Sequence, residues 1–322
     1  MRRIFGVVLA GLGAFLIVGA VLCRFYLPGQ VVKFPVNEYS VSRLTGIHVS
    51  YFSPQAFREI PNAKVRAVST VQGDVRSGSS SVAVWNNITG VFDVTSSPQV
   101  PISYSTERLA FDRRTGELVN CCGAAVGSAR PHFSGQGFVW PIGTKQQTYA
   151  LFNTSTNKPE PASFTGTAVV DGLTTDVFVQ GINNQQIGKP VTVPGLLVGI
   201  TDQATVSLPE FLTSTNTYYV DPGTGAPVKV IEAQNETLEN PSTGGTALVL
   251  FNGTLTTTPQ SVAEAVSTAQ NYDSEISDLE VIGPLAGGLV GLLLLVLGIL
   301  LVNTAYEDYE YEEDDEIVGA RA

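Results

Sequence analysis

Residues 218–230 read YYVDPGTGAPVKV, and residues 109–123 read LAFDRRTGELVNCCG. Both carry Asp-x-x-Thr-Gly between alternating apolar residues. In each, the aspartate (Asp221 or Asp112) can accept a hydrogen bond from a backbone N–H two or three residues on, which tightens a turn. The glycine (Gly225 or Gly116) supplies a left-handed residue at the end of the turn without a Cβ clash. A looser copy, LFNTSTNKPEP from Leu151, puts Asn153 and Asn157 in the same places, and Asn is the best non-glycine residue for a left-handed backbone. The repeat predicts hairpin tips between antiparallel strands. An aspartic-protease reading needs Asp directly before Thr-Gly; Arg114 and Gly223 stand there instead.

Alternation spreads outward from these tips. It is visible in AKVRAVSTV (63–71), SVAVWNNIT (81–89), ISYSTERLAF (102–111), TGTAVVDGLTTDVFVQ (165–180) and TALVLFNGTLTT (246–257). Thr, Val, Phe and Tyr are frequent there, as half-buried strands prefer. Gly, Asn, Asp and Pro punctuate at short intervals, which suits hairpins rather than βαβ units. Helix signals are few. SLPEFLTST (207–215) predicts one short helix, and residues 259–280 predict a helical stalk, with Val262, Ala265, Val266 and Ala269 at helical spacing. The expected fold class is mainly β: an antiparallel curled sheet or barrel-like domain with a few short helices.

Hydrophobic residues make up 43% of the 322 and charged residues only 15%. The apolar excess sits at the ends. Ile4 to Leu22 and Val281 to Val302 are uncharged runs, and about 20 apolar residues in a helix cross a bilayer core. The expected organisation is a short cytoplasmic N-terminus (1–3), a first transmembrane helix (4–23), an extracytoplasmic β-rich domain (24–280), a second transmembrane helix (281–303) and an acidic cytoplasmic tail (304–322). Arg2 and Arg3 with Val18-Gly19-Ala20 allow a cleaved signal peptide as the rival reading of the first run, but its length favours a retained anchor. A lipoprotein reading of Cys23 fails because Leu22 precedes it where a small residue is needed.

The spans carry small residues four apart, Gly6, Ala10 and Ala14 in the first and Gly283, Gly287 and Gly291 in the second. Such ridges let two helices approach closely. The net charge is −11. No basic patch is present, which excludes nucleic acid as a partner. The acidic tail reads as solvated and irregular, with docking to a basic cytoplasmic partner as its functional reading. Asn87, Asn153, Asn235 and Asn252 sit in Asn-x-Ser/Thr sequons, which matter only in a eukaryotic secretory setting.

Three cysteines are present, Cys23, Cys121 and Cys122. The adjacent pair is either a vicinal disulfide or two thiols beside a glycine turn. No Cys/His spacing suggests a metal, so no metal and no cofactor is expected. His48 and His132 lie in no catalytic setting, and there is no nucleophile elbow, phosphate loop or metalloprotease helix. The expectation is a protein that is not an enzyme. Aromatics are dense in FVWPIGTKQQTYALF (138–152). They either fill a core or line an apolar cavity inside a curled sheet; the candidates for such a lining are Trp85, Phe138, Trp140, Tyr149 and Phe178.

The series VQGDV (71–75), SVAVWN (81–86), ISYSTERLAFDRRTGELVNCCG (102–123), FVWPIGTKQQTY (138–149), VVDGLTTDVFVQ (169–180) and YYVDPGTGAPVKV (218–230) resembles the actinobacterial porin PorA family, in the family's order and over nearly the whole chain. Trp140-Pro141-Ile142-Gly143 departs from the Phe-Pro-Phe-Gly usual there. The resemblance implies a double-pass plasma-membrane protein with an extracytoplasmic β-rich domain, similar in architecture to scavenger receptors of the CD36 type, which carry lipid through a tunnel. Some members are implicated in lipoglycan assembly. No catalytic residues come with it. The expected function is to bind, shield or transfer an apolar or lipid-linked cell-envelope intermediate, with membrane lipids or a lipid-linked glycan as partner. The alternatives are a scaffold that recruits envelope-biosynthesis enzymes through its spans and tail and, behind it, an oligomeric channel. A membrane-spanning barrel needs lipid-facing apolar alternation and aromatic girdles, whereas these strands are rich in Ser, Thr and Asn.

Overall fold

The computed structural model describes the backbone of residues 2–95 and 97–319, and side chains of residues 3–95 and 97–304. The chain divides into two units, Lys33–Asn271 and the paired ends Met1–Val32 with Tyr272–Ala322.

The larger unit is a single antiparallel sheet. Its strands are β1 (Tyr39–Ser53), β2 (Arg58–Gly73), β3 (Val82–Asp93), β4 (Val100–Asp112), β5 (Ala125–Val126), β6 (Tyr149–Asn153), β7 (Lys158–Val170), β8 (Leu173–Pro194), β9 (Thr205–Val220), β10 (Pro227–Glu239) and β11 (Thr246–Thr257). Their order is β5-β4-β3-β2-β1-β11-β10-β9-β8-β7-β6. Neighbours in sequence are neighbours in the sheet, except that β1 closes on β11 and the two edges fall at β5 and β6. The edges come together at one end through a chain of bridges: Phe111 with Leu118, Glu117 with Gln136, and Gln136 with Leu151. The sheet is therefore curled into a half-barrel whose rim is linked by backbone hydrogen bonds.

The predicted turns are hairpin devices. Asp112 Oδ1 accepts from the N–H groups of Arg114 and Thr115, Asn153 Oδ1 from those of Ser155 and Thr156, and Asp221 Oδ2 from that of Thr224. The residues closing these turns, Gly116, Asn157 and Gly225, all have positive φ. The same device recurs where the sequence reading missed it, at Ser53, Asp74 and Asn240.

The sequence 207–215 is not a helix but the first half of β9. Leu208, Phe211 and Leu212 imitate helical spacing, but the strand is paired on both sides, to β8 and to β10. Pro209 falls beside a register shift in β8 between Ile187 and Val191, where a missing ladder N–H costs little. The stretch expected as a helical stalk is helical over α3 (Pro259–Ser277); a short α2 (Pro28–Val31) precedes the sheet. Its Val262, Val266 and Ala269 pack with Val170 and Val228 of the sheet.

In the smaller unit, α1 (Arg2–Phe25) and α4 (Gly283–Gly319) pack antiparallel. Both belong to helical stretches long and apolar enough to cross a membrane. A Cβ on Gly13 would meet Gly291 O and Leu295, and one on Gly298 would meet Ala10 and Gly6 O. The contact thus uses Gly6, Ala10 and Gly13 against Gly291 and Gly298. Ala14 and Gly283, expected in it, are exposed, because the ridge follows the i, i+3, i+4 face rather than strict four-residue steps. Gly287 lies 3.9 Å from the Ala20 methyl at its would-be Cβ. The helical backbone runs on to Gly319, through much of the tail expected to be irregular. Extending an existing helix is far easier than nucleating one. The tail's acidic side chains, and its docking role, lie outside the described residues.

Candidate functional site

Strand alternation assigns one face of the sheet to the inside of the curl. On β9 and β10 the inward positions pair Tyr218 with Val230, Asn216 with Glu232, Ser214 with Gln234 and Leu212 with Glu236. The same parity on β10 carries buried Leu238. Three successive inward positions of β10 are thus Glu232, Gln234 and Glu236, a polar row where a core strand would be apolar. Outward positions such as Thr213, Thr215, Asn252 and Thr254 are exposed, so the outer wall of this region is wettable.

On the far wall, Glu107 of β4 pairs with Asn87 of β3. Along the sheet, β4 and β10 are five strand steps apart, or about 24 Å at the usual inter-strand spacing. Yet Glu107 is close enough to push up the pKa of both Glu232 and Tyr218 electrostatically. Only the curl explains this: the two walls face each other across the interior.

The acids in this interior hold their protons tightly. Burial first, and then the Glu107 charge, pushes Glu232 up to about 7. Burial and Glu210 push Glu236 up to about 7. Burial raises Glu107 as well, partly offset by hydrogen bonds with Thr154 and Asn87. Burial also raises the Tyr218 phenol, which Asn216 hydrogen-bonds. All four are nevertheless part-exposed rather than sealed. Protein surrounds them, but water reaches them. Residues 103–106 of β4 are exposed on both faces in unbroken succession, so this part of the edge leaves the interior uncovered. Asn216 Oδ1 and Ser214 Oγ are buried without a hydrogen-bond partner.

One end of the interior is dry. The segment 138–144 enters it and is held by the repeated turns. Trp140 N–H donates to Gly225 O at 2.8 Å, Gly143 N–H to Gly223 O at 3.0 Å, and Ile142 N–H to Arg114 O at 3.1 Å. Phe138 stacks on Trp85 with ring centroids 6.1 Å apart. Trp140 lies against Phe178 and Tyr218, at 5.5 and 5.2 Å. The five aromatics singled out in the sequence are therefore placed in two packed clusters. Trp85 sits in one, with Phe138 against it, and Trp140, Tyr149 and Phe178 sit in the other. Cys121 and Cys122 are disulfide-bonded, with Cα atoms 3.8 Å apart, and the Cys122 carbonyl accepts from Arg108 Nε at 3.0 Å.

Sequence reasoning missed Glu107, Asn216, Ser214, Glu232 and Glu236. The signal was present in VKVIEAQNETL (228–238): Glu232, Gln234 and Glu236 share the parity of Val228 and Leu238. That phase reads as an outer face until the apolar ends show which side is inside. Among the described residues, no cluster of His, Cys, Asp and Glu could hold a metal ion.

No curated protein matches the chain. A family model, Porin PorA, matches residues 5–300. With nearly all of its length, from the first apolar helix through the sheet to the last, covered by that match, this chain belongs to the Porin PorA family.

Proposed function

We propose that this is a non-enzymatic, double-pass plasma-membrane protein whose β domain lies outside the cytoplasm and binds, shields or hands over a lipid-linked cell-envelope intermediate. The observation that carries the reading is the inner wall of the half-barrel. A row of Glu232, Gln234 and Glu236, part-exposed to water, faces the buried Asn216 and Ser214 and adjoins a dry aromatic end around Trp140. An interior with one wet and one apolar part suits an amphipathic ligand, its hydroxyl-rich portion against the row and its chain against the apolar side. Each buried CH₂ of such a chain contributes about 0.8 kcal/mol, so retention needs no catalytic group.

The family's name points to conduction. The exposed outward residues Thr213, Thr215, Asn252 and Thr254 suit water rather than lipid, so this reading keeps the strands out of the bilayer. Native mass spectrometry of the full-length protein, extracted from its own membranes, tests the proposal. A copurifying lipid-linked glycan is expected; bare protein, with no uptake of added lipid-linked glycan, overturns it. Added protease should degrade the β domain in spheroplasts and spare it in inside-out vesicles; the reverse pattern overturns the topology.

A further inference from the structure

We infer that the inner row of β9 and β10 is a binding site for a protonated organic amine, seated between Glu232 and Glu107. This goes beyond the proposed function and stands without it.

The interior is rich in acceptors and poor in charges to match them. Glu107, Glu232 and Glu236 lie inside the curl, and Glu210 acts on Glu236 from β9. Among the described residues no arginine or lysine forms an ion pair with any of them. Among the described residues, the charges acting on Glu232 and Glu236 are those of other acids, Glu107 and Glu210. Like charges held in a poorly solvated space repel, and a mobile cation between them relieves the repulsion.

A second observation is independent of the acids. Asn216 is 6% exposed and Ser214 3%, and each keeps a buried oxygen with no partner. Asn216 is the register partner of Glu232, and Ser214 that of Gln234, so both lie on the inward row. A buried acceptor left unpaired costs about 1–3 kcal/mol, which a donor-bearing ligand recovers. The missing chemistry is thus a positive charge with several N–H donors, and an alkylammonium carries one charge and up to three donors.

A bare metal ion fits less well. It needs its ligands converged around one point, and no such group of acids occurs among the described residues. The acids here stand on opposed walls, a spacing suited to a larger cation. A neutral polyol could also satisfy Asn216 and Ser214 but would leave the acid repulsion in place.

The test is calorimetric titration of the full-length protein in detergent with spermidine, and in parallel with mannitol. One saturable spermidine site is expected at pH 8. Glu232→Gln and Glu107→Gln each remove a charge while keeping shape, and each should weaken that site about tenfold or more. Glu264→Gln, on the exposed side of α3, should leave it unchanged. Lowering the pH to 5.5 should weaken it, because protonated Glu232 no longer attracts a cation. The groups facing Glu232 are Glu107 on β4, with Tyr218 on β9, and Glu236 lies along its own strand. Circular dichroism and the unfolding midpoint show that the variants fold; removing one of these like charges from the interior should raise the midpoint. Spermidine affinity unchanged in Glu232→Gln, equal binding of mannitol, or no binding by the folded wild type each overturns the inference.

Discussion

The two parts of the half-barrel interior are built from the same strands and behave oppositely. At the dry end, Trp140 is 1% exposed and Phe178 fully buried, and segment 138–144 is tied by backbone hydrogen bonds to two turns. A few steps further along the same β9 and β10, the inward positions become Asn216, Ser214, Glu232 and Glu236, with water reaching the acids. Strand pairing is continuous through both. What differs is whether a loop enters to cover the inner face. Where it does, the interior is close-packed; where it does not, polar side chains are left facing solvent-reached space. The dry end supplies stability that tolerates the unfavourable wet row, as often holds where function and packing compete.

The sharpest way to break this contrast is to empty the dry end. Trp140→Ala should destabilise the domain by about 3–5 kcal/mol, read by denaturant unfolding. A loss under about 1 kcal/mol would mean that the segment merely rests on the sheet.

The next largest effect concerns the turns that hold it. Gly225 has φ +75°, and a Cβ there would run into the carbonyls of Trp140 and Pro141. Gly143 has a similar φ of +73° with nothing near its would-be Cβ. Gly225→Ala should cost on the order of 2–3 kcal/mol, and Gly143→Ala about 1. Equal costs in the two variants would show that backbone conformation alone matters and that close docking of segment 138–144 does not.

The wet row is probed by pH. Glu232 and Glu236 are raised to about 7 in the folded protein from the ordinary 4.5. Between those values the folded state binds more protons than the unfolded one. Stability should therefore rise as pH falls from 8 towards 5, with no further gain from these two groups below about 4.5. The unfolding midpoint should climb over that range, by about 2–4 °C for each kcal/mol gained in a domain of this size. Glu232→Gln should raise the midpoint at pH 8 and flatten the curve. A midpoint that falls steadily on acidification to pH 5 would contradict an uncompensated acid row.

The smallest effect is expected at Asp74, outside both regions. The Arg108 guanidinium, 2.8 Å away, and Ser77 hold its carboxyl down at about 2. Its contribution is present above the ordinary 3.8 and lost as pH falls towards 2. The pair is partly exposed, so screening leaves little. Asp74→Asn should shift the acid limb of the unfolding curve slightly and leave neutral stability nearly unchanged, as a pH series of melting curves would show.

Much of the architecture was legible. The Asp-x-x-Thr-Gly turns at Asp112 and Asp221 and their relative at Asn153 are local hydrogen-bonding devices, so a short stretch suffices to read them. The copy at Asp74 ends in Ser-Gly and that at Asn240 in Thr-Gly; a looser pattern would have found both. Residues 207–215 misled because three apolar residues at helical spacing outweighed a strand that only two neighbours could stabilise. The glycines of α1 and α4 were legible as a ridge but not to the residue, since the face in contact depends on the partner helix.

From the residues alone came the two apolar segments, most of the hairpin tips and the parity of most strands, because all of these depend on a few neighbouring residues. Tertiary structure decided which parity faces inward and which strands stand opposite one another. Glu107 and Glu232 feel each other's charge across the interior although 125 positions separate them (232 minus 107). Alternation repeats every two residues along a strand and carries no record of how far the sheet curls. That curl is set by the summed twist and packing of the whole sheet.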